Sequence, residues 1–137
     1  MPLMRVDMYS INHGYGFCVP LAGEGRVFFR VEDFDGEGIL PIMGETVEVP
    51  ALVEGERSPR AVRVVRTQPP LECVGLVTSF DSVRGWGFIQ SEGVSYFLHR
   101  SDLQDRFIPV IGSSLRFYAG VRRGKPRACY VRLRGKI

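Results

Sequence analysis

"RGWGFIQSEGVSYFLHRSDL" occupies residues 84–103, and a second version of it, "HGYGFCVPLAGEGRVFFRVEDF", occupies residues 13–34. Each opens on basic–Gly–aromatic–Gly–Phe, and each continues to a Phe two residues ahead of a basic residue, Phe97 before His99 and Phe28 before Arg30. Internal repetition is sought before any element is assigned, because it sets the number of folding units. Downstream, "IMGETVEV" matches "VIGSSLRF" and "SPRAVRV" matches "KPRACYV". Gly14 pairs with Gly85, Phe28 with Phe97 and Ala61 with Ala128, so the offset drifts from 71 to 69 to 67. Shortened loops produce a drift of that size. Between the copies lies "TQPPLE", where Pro69-Pro70 interrupts any strand and stiffens the joint as polyproline II. The chain therefore reads as a domain over 1–67, a Pro-Pro linker over 68–72, and a second domain over 73–137 that ends in a basic tail, residues 132–137.

Within each copy the pattern is short runs punctuated by glycine, with no helical period. Strands are expected near 4–10, 15–19, 26–30, 46–53 and 61–65, and again near 73–80, 85–90, 95–99, 115–122 and 127–133. Five strands in so short a unit point to a small closed barrel, since closure removes exposed edges. The fold class expected is all-β, with two small five-stranded barrels in tandem.

Alternation then sorts the aromatics. Residues i and i+2 of a strand share a face, so Tyr15 goes with Phe17, Trp86 with Phe88, Phe97 with His99, and Phe28 with Arg30. Burying an unpaired Arg is costly, which marks these as the wetter faces. Val27 and Phe29 fall in the opposite phase, and Ile89, Leu98, Leu115, Phe117 and Val131 suffice for the second interior.

Charge divides the chain. Residues 1–70 hold seven Arg against ten Asp and Glu, a net charge of −3, and residues 71–137 hold eleven Lys and Arg against five acids, a net of +6. A nucleic-acid footprint belongs on the second half. Cys18, Cys73 and Cys129 are odd in number and lack a C-x-x-C pair, so they read as buried reduced thiols, with neither metal nor cofactor implied. No apolar run suits a membrane span and no leader is evident, which makes the cytoplasm the expected compartment.

"GLVTSFDSVRGWGFIQSEGVSYFLHRSDL", residues 75–103, resembles the start of a cold-shock domain, a five-stranded oligonucleotide-binding (OB-fold) barrel. "GSSLRFYAGVRRGKPRACYV" resembles that family's later strands, and residues 3–66 look like a second, diverged copy. The resemblance places nucleic-acid contacts on Trp86, Phe88, Phe97 and His99, with Arg84 opening the motif, Phe80 matching an aromatic upstream and Phe107 one in the long loop. Ser79 and Arg100 stand where the family carries further aromatics, and Arg100 trades stacking for charge. In the first copy the corresponding positions include Met8, Tyr9, His13, Tyr15, Phe17 and Phe28, with Arg30 in place of the histidine and Val31 after it.

The resemblance implies a non-enzymatic binder of single-stranded RNA or DNA, of the RNA-chaperone or transcription- and translation-modulator type. Aromatic platforms stack unpaired bases with little sequence preference, and cations attract phosphates. The alternative is a protein-interaction module whose acidic first barrel docks a protein partner, since residues 32–37, "EDFDGE", repel phosphate or form a solvated loop. No Ser/His/Asp or Cys/His grouping suggests catalysis.

Overall fold

Two glycines decide how each repeated motif folds. In the computed structural model, which describes residues 3–55 and 57–134, Gly85 and Gly14 take left-handed backbone with φ of 82° and 71°. Each sits in the turn ahead of an aromatic strand. The Gly85 N–H donates to the Asp81 carbonyl and its own carbonyl accepts the Arg100 N–H, at 2.7 and 2.9 Å. Gly14 repeats this with Ser10 and Val31, at 2.9 and 2.8 Å. The following glycines, Gly87 and Gly16, are buried inside their strands, where a Cβ would collide with the backbone carbonyls of Ser79 and Met8.

The chain divides into two compact units at the Pro69–Pro70 bond. The first contains β1 (Leu3–Ser10), β2 (Tyr15–Pro20), β3 (Val27–Arg30), β4 (Phe34–Asp35), β5 (Thr46–Val53) and β6 (Arg60–Arg66). They form a six-stranded sheet in the order β3-β2-β1-β5-β6-β4. β3 also pairs with β6, in parallel at Phe28↔Arg60, so the ladder returns on itself. The second unit contains β7 (Glu72–Asp81), β8 (Trp86–Ser91), β9 (Val94–His99), β10 (Ser114–Arg122) and β11 (Lys125–Leu133), joined as a closed barrel. Its parallel pairing of β9 with β11 at Phe97↔Arg127 is the counterpart of Phe28↔Arg60, and a second parallel bridge, Leu103↔Val131, is the counterpart of Phe34↔Val64.

One element escapes the sequence reading. The acidic residues after β3 form a 3-10 turn, Val31–Asp33, followed by β4, which pairs with β6 at Phe34↔Val64 and Asp35↔Val65. The expected solvated loop is thus partly built into the sheet, with Asp33 bridged to Arg60 at 3.0 Å and Asp35 to Arg63 at 3.7 Å. Beyond it, the buried Arg66 donates to Glu45 and to the carbonyls of Gly36, Ile39 and Leu40, closing the rest of the segment. Cys18 and Cys129 are buried as expected, whereas Cys73 is only half-buried, because it lies at the start of β7 where the barrel begins.

Eight interior positions match between the units, and a ninth, Met4 of the first, is Gly75 in the second. Val6, Cys18, Val27, Phe29, Val47, Val49, Ala61 and Val64 fill the first, and Val77, Ile89, Tyr96, Leu98, Leu115, Phe117, Ala128 and Val131 stand at the same places in the second. The aromatic bulk has moved between them. Phe29 and Val49 of one core become Leu98 and Phe117 of the other, while Cys18 becomes Ile89 and Val27 becomes Tyr96, so the side chains at the shared positions are larger in the second core.

Each unit also carries an Arg–Asp pair joining a 3-10 turn, Val31–Asp33 in the first and Arg100–Asp102 in the second, to the last strand. Arg127 donates through Nε and Nη2 to Asp102 at 2.9 Å, with both side chains largely buried. Arg60 reaches Asp33 through Nη2 alone, leaving its buried Nε without a partner. Burial outweighs the attraction of Arg127 and pushes the Asp102 carboxyl up to about 6.

Two outcomes follow for stability. Gly87→Ala should destabilise the second unit by about 1–3 kcal/mol, since β7 backbone and not a flexible side chain must move. Urea unfolding followed through Trp86, which reports on that unit, measures it, and an unchanged midpoint would contradict the close crossing. Asp102 is protonated when folded but ionised when unfolded between its ordinary value of 3.8 and about 6, so its contribution falls as pH rises through that window. The stability of the wild type relative to Asp102→Asn should therefore drop by about 2–3 kcal/mol from about pH 4 to about pH 6. A difference that stays flat over that range would place the carboxyl at its ordinary value.

Candidate nucleic-acid interface

β8 and β9 pair antiparallel with Trp86 opposite His99 and Phe88 opposite Phe97. Because Gly87, Ile89 and Leu98 take the inward positions, all four rings stand on the outer face. The rings touch one another: Trp86 lies 6.2 Å from Phe88 and 6.0 Å from Phe97, Phe88 lies 5.9 Å from Phe97, and Phe97 lies 6.0 Å from His99. Trp86 is 37% exposed, an unusual setting for the largest apolar side chain unless something covers it.

The first unit repeats the cluster. Tyr15 is 6.2 Å from Phe17 and 5.5 Å from Phe28, and Phe17 is 5.7 Å from Phe28. His13 adds a ring 5.8 Å from Tyr15, and Arg30 stands opposite Tyr15 in the ladder. The one difference of kind is Arg26, whose guanidinium lies 3.7 Å over the Phe17 ring. That face of Phe17 is already covered by a cation.

Arg127, a residue the sequence reading did not select, lies beside the second cluster. As the register partner of Phe97, it places its guanidinium 5.4 Å from the ring centroid. Its bonds to Asp102 hold it there. A signal for it existed in the sequence, because Ser58-Pro59-Arg60 and Lys125-Pro126-Arg127 keep their Arg while neighbouring charges change. Arg26 had no such signal.

His99 is held as a neutral ring. Its Nδ1 accepts the Ser101 N–H at 3.1 Å and contacts the Ser101 hydroxyl at 2.8 Å. Burial lowers its pKa, and the cations Arg127 and Arg100 lower it further. In the neutral state the accepting Nδ1 leaves the proton on Nε2, which can donate to a ligand.

The remaining residues expected at the site divide. Arg100 folds across the backbone of Gly85, bringing a cation to the turn that precedes Trp86. Arg84 is exposed and 3.8 Å from Asp81. Phe80 and Phe107 do not join the cluster, and both pack against the core. For Phe80 the cause is a bulge: the register of β7 against β8 shifts between Val77 and Ser79, which turns Phe80 from the outer phase toward the interior. Tyr9 shows the same effect, stacked on buried Phe29 after the shift between Val6 and Met8. Phe107 lies in the segment between β9 and β10, where its ring covers core residues. Of the basic tail, Gly135, Lys136 and Ile137 lie outside the described residues; Arg132 is bonded to Glu72 at 2.6 Å.

Among the described residues no cluster of His, Cys, Asp and Glu could hold a metal ion, and no helix is long and apolar enough to cross a membrane. No protein-family model matches the chain, and no curated protein matches it. Among solved structures it is similar to a Drosophila structure described as Unr CSD456, at 20% identity with a TM-score of 0.41. That match covers 99% of this chain, which spans 63% of the other chain's length.

Proposed function

We propose that the chain is a tandem cold-shock-type protein that binds single-stranded RNA or DNA by stacking unpaired bases on two aromatic platforms, one in each unit. The observation that carries this reading is the outward cluster of Trp86, Phe88, Phe97 and His99, reproduced by Tyr15, Phe17 and Phe28 at matching positions. Adjacent outward rings with cations beside them suit unpaired bases, whose π-faces stack without regard to sequence. The mechanism is equilibrium capture. Each stacked base favours the open strand over a hairpin, and neither bond breakage nor an energy source is involved.

The second unit is the principal binder. It carries the +6 charge, and its cluster has an indole where the first has the Tyr15 ring and His99 beside Phe97 where the first has Arg30. In the first unit the Asp33 and Asp35 carboxylates are engaged by Arg60 and Arg63, and Arg26 covers Phe17. The engaged carboxylates also leave less acidity for a basic protein partner, which favours nucleic acid over protein docking.

Trp86 supplies the direct test. Its emission should be red-shifted in the free protein and strongly quenched by oligo-dT or oligo-U; a blue maximum unmoved by saturating oligonucleotide would sink the reading. Phe97→Ala, once shown to be folded, should weaken single-strand binding by about 1–3 kcal/mol. Phe28→Ala should cost less, and a folded Phe28→Ala that proved the more damaging would make the first unit the principal binder.

A further inference from the structure

The turn that leads into β5 in the first unit and β10 in the second has one backbone and two opposite patterns of burial. In the second unit the Gly112 N–H donates to the Val77 carbonyl at 2.8 Å and the Ser113 N–H to that of Val110 at 2.9 Å. Gly44 and Glu45 make the same bonds to Val6 and Ile42 in the first, at 2.7 and 3.1 Å. The segment is apolar in both, Ile39-Leu40-Pro41-Ile42-Met43 against Phe107-Ile108-Pro109-Val110-Ile111. Yet Ile42 and Met43 are 3% and 7% exposed, whereas Val110 and Ile111 are 64% and 67% exposed and Ile108 is 68% exposed.

The side chains that secure the first segment are replaced in the second. Glu45 accepts the Ile42 N–H at 2.7 Å and binds Arg66, which also holds the carbonyls of Gly36, Ile39 and Leu40. Ser113 and Leu133 stand at those two positions. The result is an apolar ridge on a turn fixed by its own backbone bonds, with Leu76, 54% exposed, next to the anchoring Val77. Ile108, Val110, Ile111 and Leu76 together present about 400 Å² of apolar surface, the size of the largest patch on an ordinary monomer and a mark of an interaction site. Beside the ridge Asp105 and Arg106 are exposed neighbours of opposite sign, and among the described residues neither forms an ion pair.

We propose that this ridge is the contact by which two copies of the chain pair about a two-fold axis. An apolar patch is complementary to itself. An adjacent acid and base make the rim complementary to itself as well, since Asp105 of each copy meets Arg106 of the other. A partner of a single charge sign gains nothing from such a rim. Two ridges face to face, with their rims, remove about 1,000 Å² from water, at the low end of specific interfaces, so the pair is weak and reversible. The ridge shares no residue with the ring cluster, and the pairing does not depend on the single-strand reading.

Sedimentation equilibrium of the full chain, without oligonucleotide, tests this. The average mass should rise from that of one chain toward that of two as the concentration approaches about 1 mM. Ile111→Glu puts a charge into the contact and should hold the mass at one chain throughout. Leu21→Glu, at an exposed apolar residue of the first unit, should associate as the wild type does. Arg106→Glu sets acids against each other across the axis and should weaken pairing about tenfold, and adding Asp105→Arg to it should restore the pairing. Trp86 emission like that of the wild type shows each variant folded, and the exposed Asp105 and Arg106 variants keep the test decisive if Ile111→Glu misfolds. A chain that stays single at every concentration, as it would if the ridge served a different protein, overturns the proposal. So does an Ile111→Glu chain that associates like the wild type, or an Arg106→Glu defect that Asp105→Arg leaves uncorrected.

Discussion

The close approach of two backbones at a glycine is the constraint from which the rest of each unit follows. At Gly87 the β7 backbone passes where a side chain would start, and at Gly16 the β1 backbone does the same. Such contact allows a few short strands to curl tightly, and the extra residue of the bulges beside it, at Val77/Ser79 and Val6/Met8, adds local twist. The same contact fixes the phase of the strand. With glycine inward, Trp86 and Phe88, or Tyr15 and Phe17, have only the outer face left to them. A sequence requirement of folding thereby becomes an aromatic surface.

That surface and the interior have diverged differently. Inside, a Phe exchanged places between two positions and every shared core site stayed apolar, with Tyr96 standing where the first unit has Val27 and Gly75 where it has Met4. Outside, the cluster of three rings is kept, yet the charge around it is reversed. Packing limits what can change in the core; solvent imposes no such limit on exposed loops or on the acidic segment. Divergence outside a common interior is where two copies of one unit can acquire unequal roles.

Much of this was legible in the sequence because the period-two rule is strict within an unbroken strand. The inward phase of Val27, Phe29, Ile89 and Leu98 and the outward phase of the paired aromatics were readable residue by residue. The rule does not extend across a broken strand, and Phe80 was expected at the site only from the family resemblance. Phe80 lies just past a bulge, and one extra residue inverts its face, a shift that no composition signal announces. β4 was missed because two residues make no periodic pattern, and because acidity masked a segment whose carboxylates are engaged by distant arginines. Arg127 belongs to the same class: its role depends on a parallel pairing of β9 with β11, which local sequence does not reveal.

The repeated Arg–Asp pair explains why the positive charge nearest the platform differs from the charge that reaches solvent. A buried ion pair seldom adds net stability, because desolvating both groups offsets their attraction. Its contribution here is geometric. Asp102 holds the Arg127 guanidinium through two bonds, so the cation stays beside Phe97 and cannot extend to follow a backbone phosphate. Among the described residues no carboxylate forms an ion pair with Arg26, which lies against the outward Phe17 ring. The tethered guanidinium stays 5.4 Å from the Phe97 centroid, whereas that of Arg26 closes to 3.7 Å over Phe17. The two ring clusters therefore differ in how closely the nearest arginine approaches a ring as well as in the rings they carry.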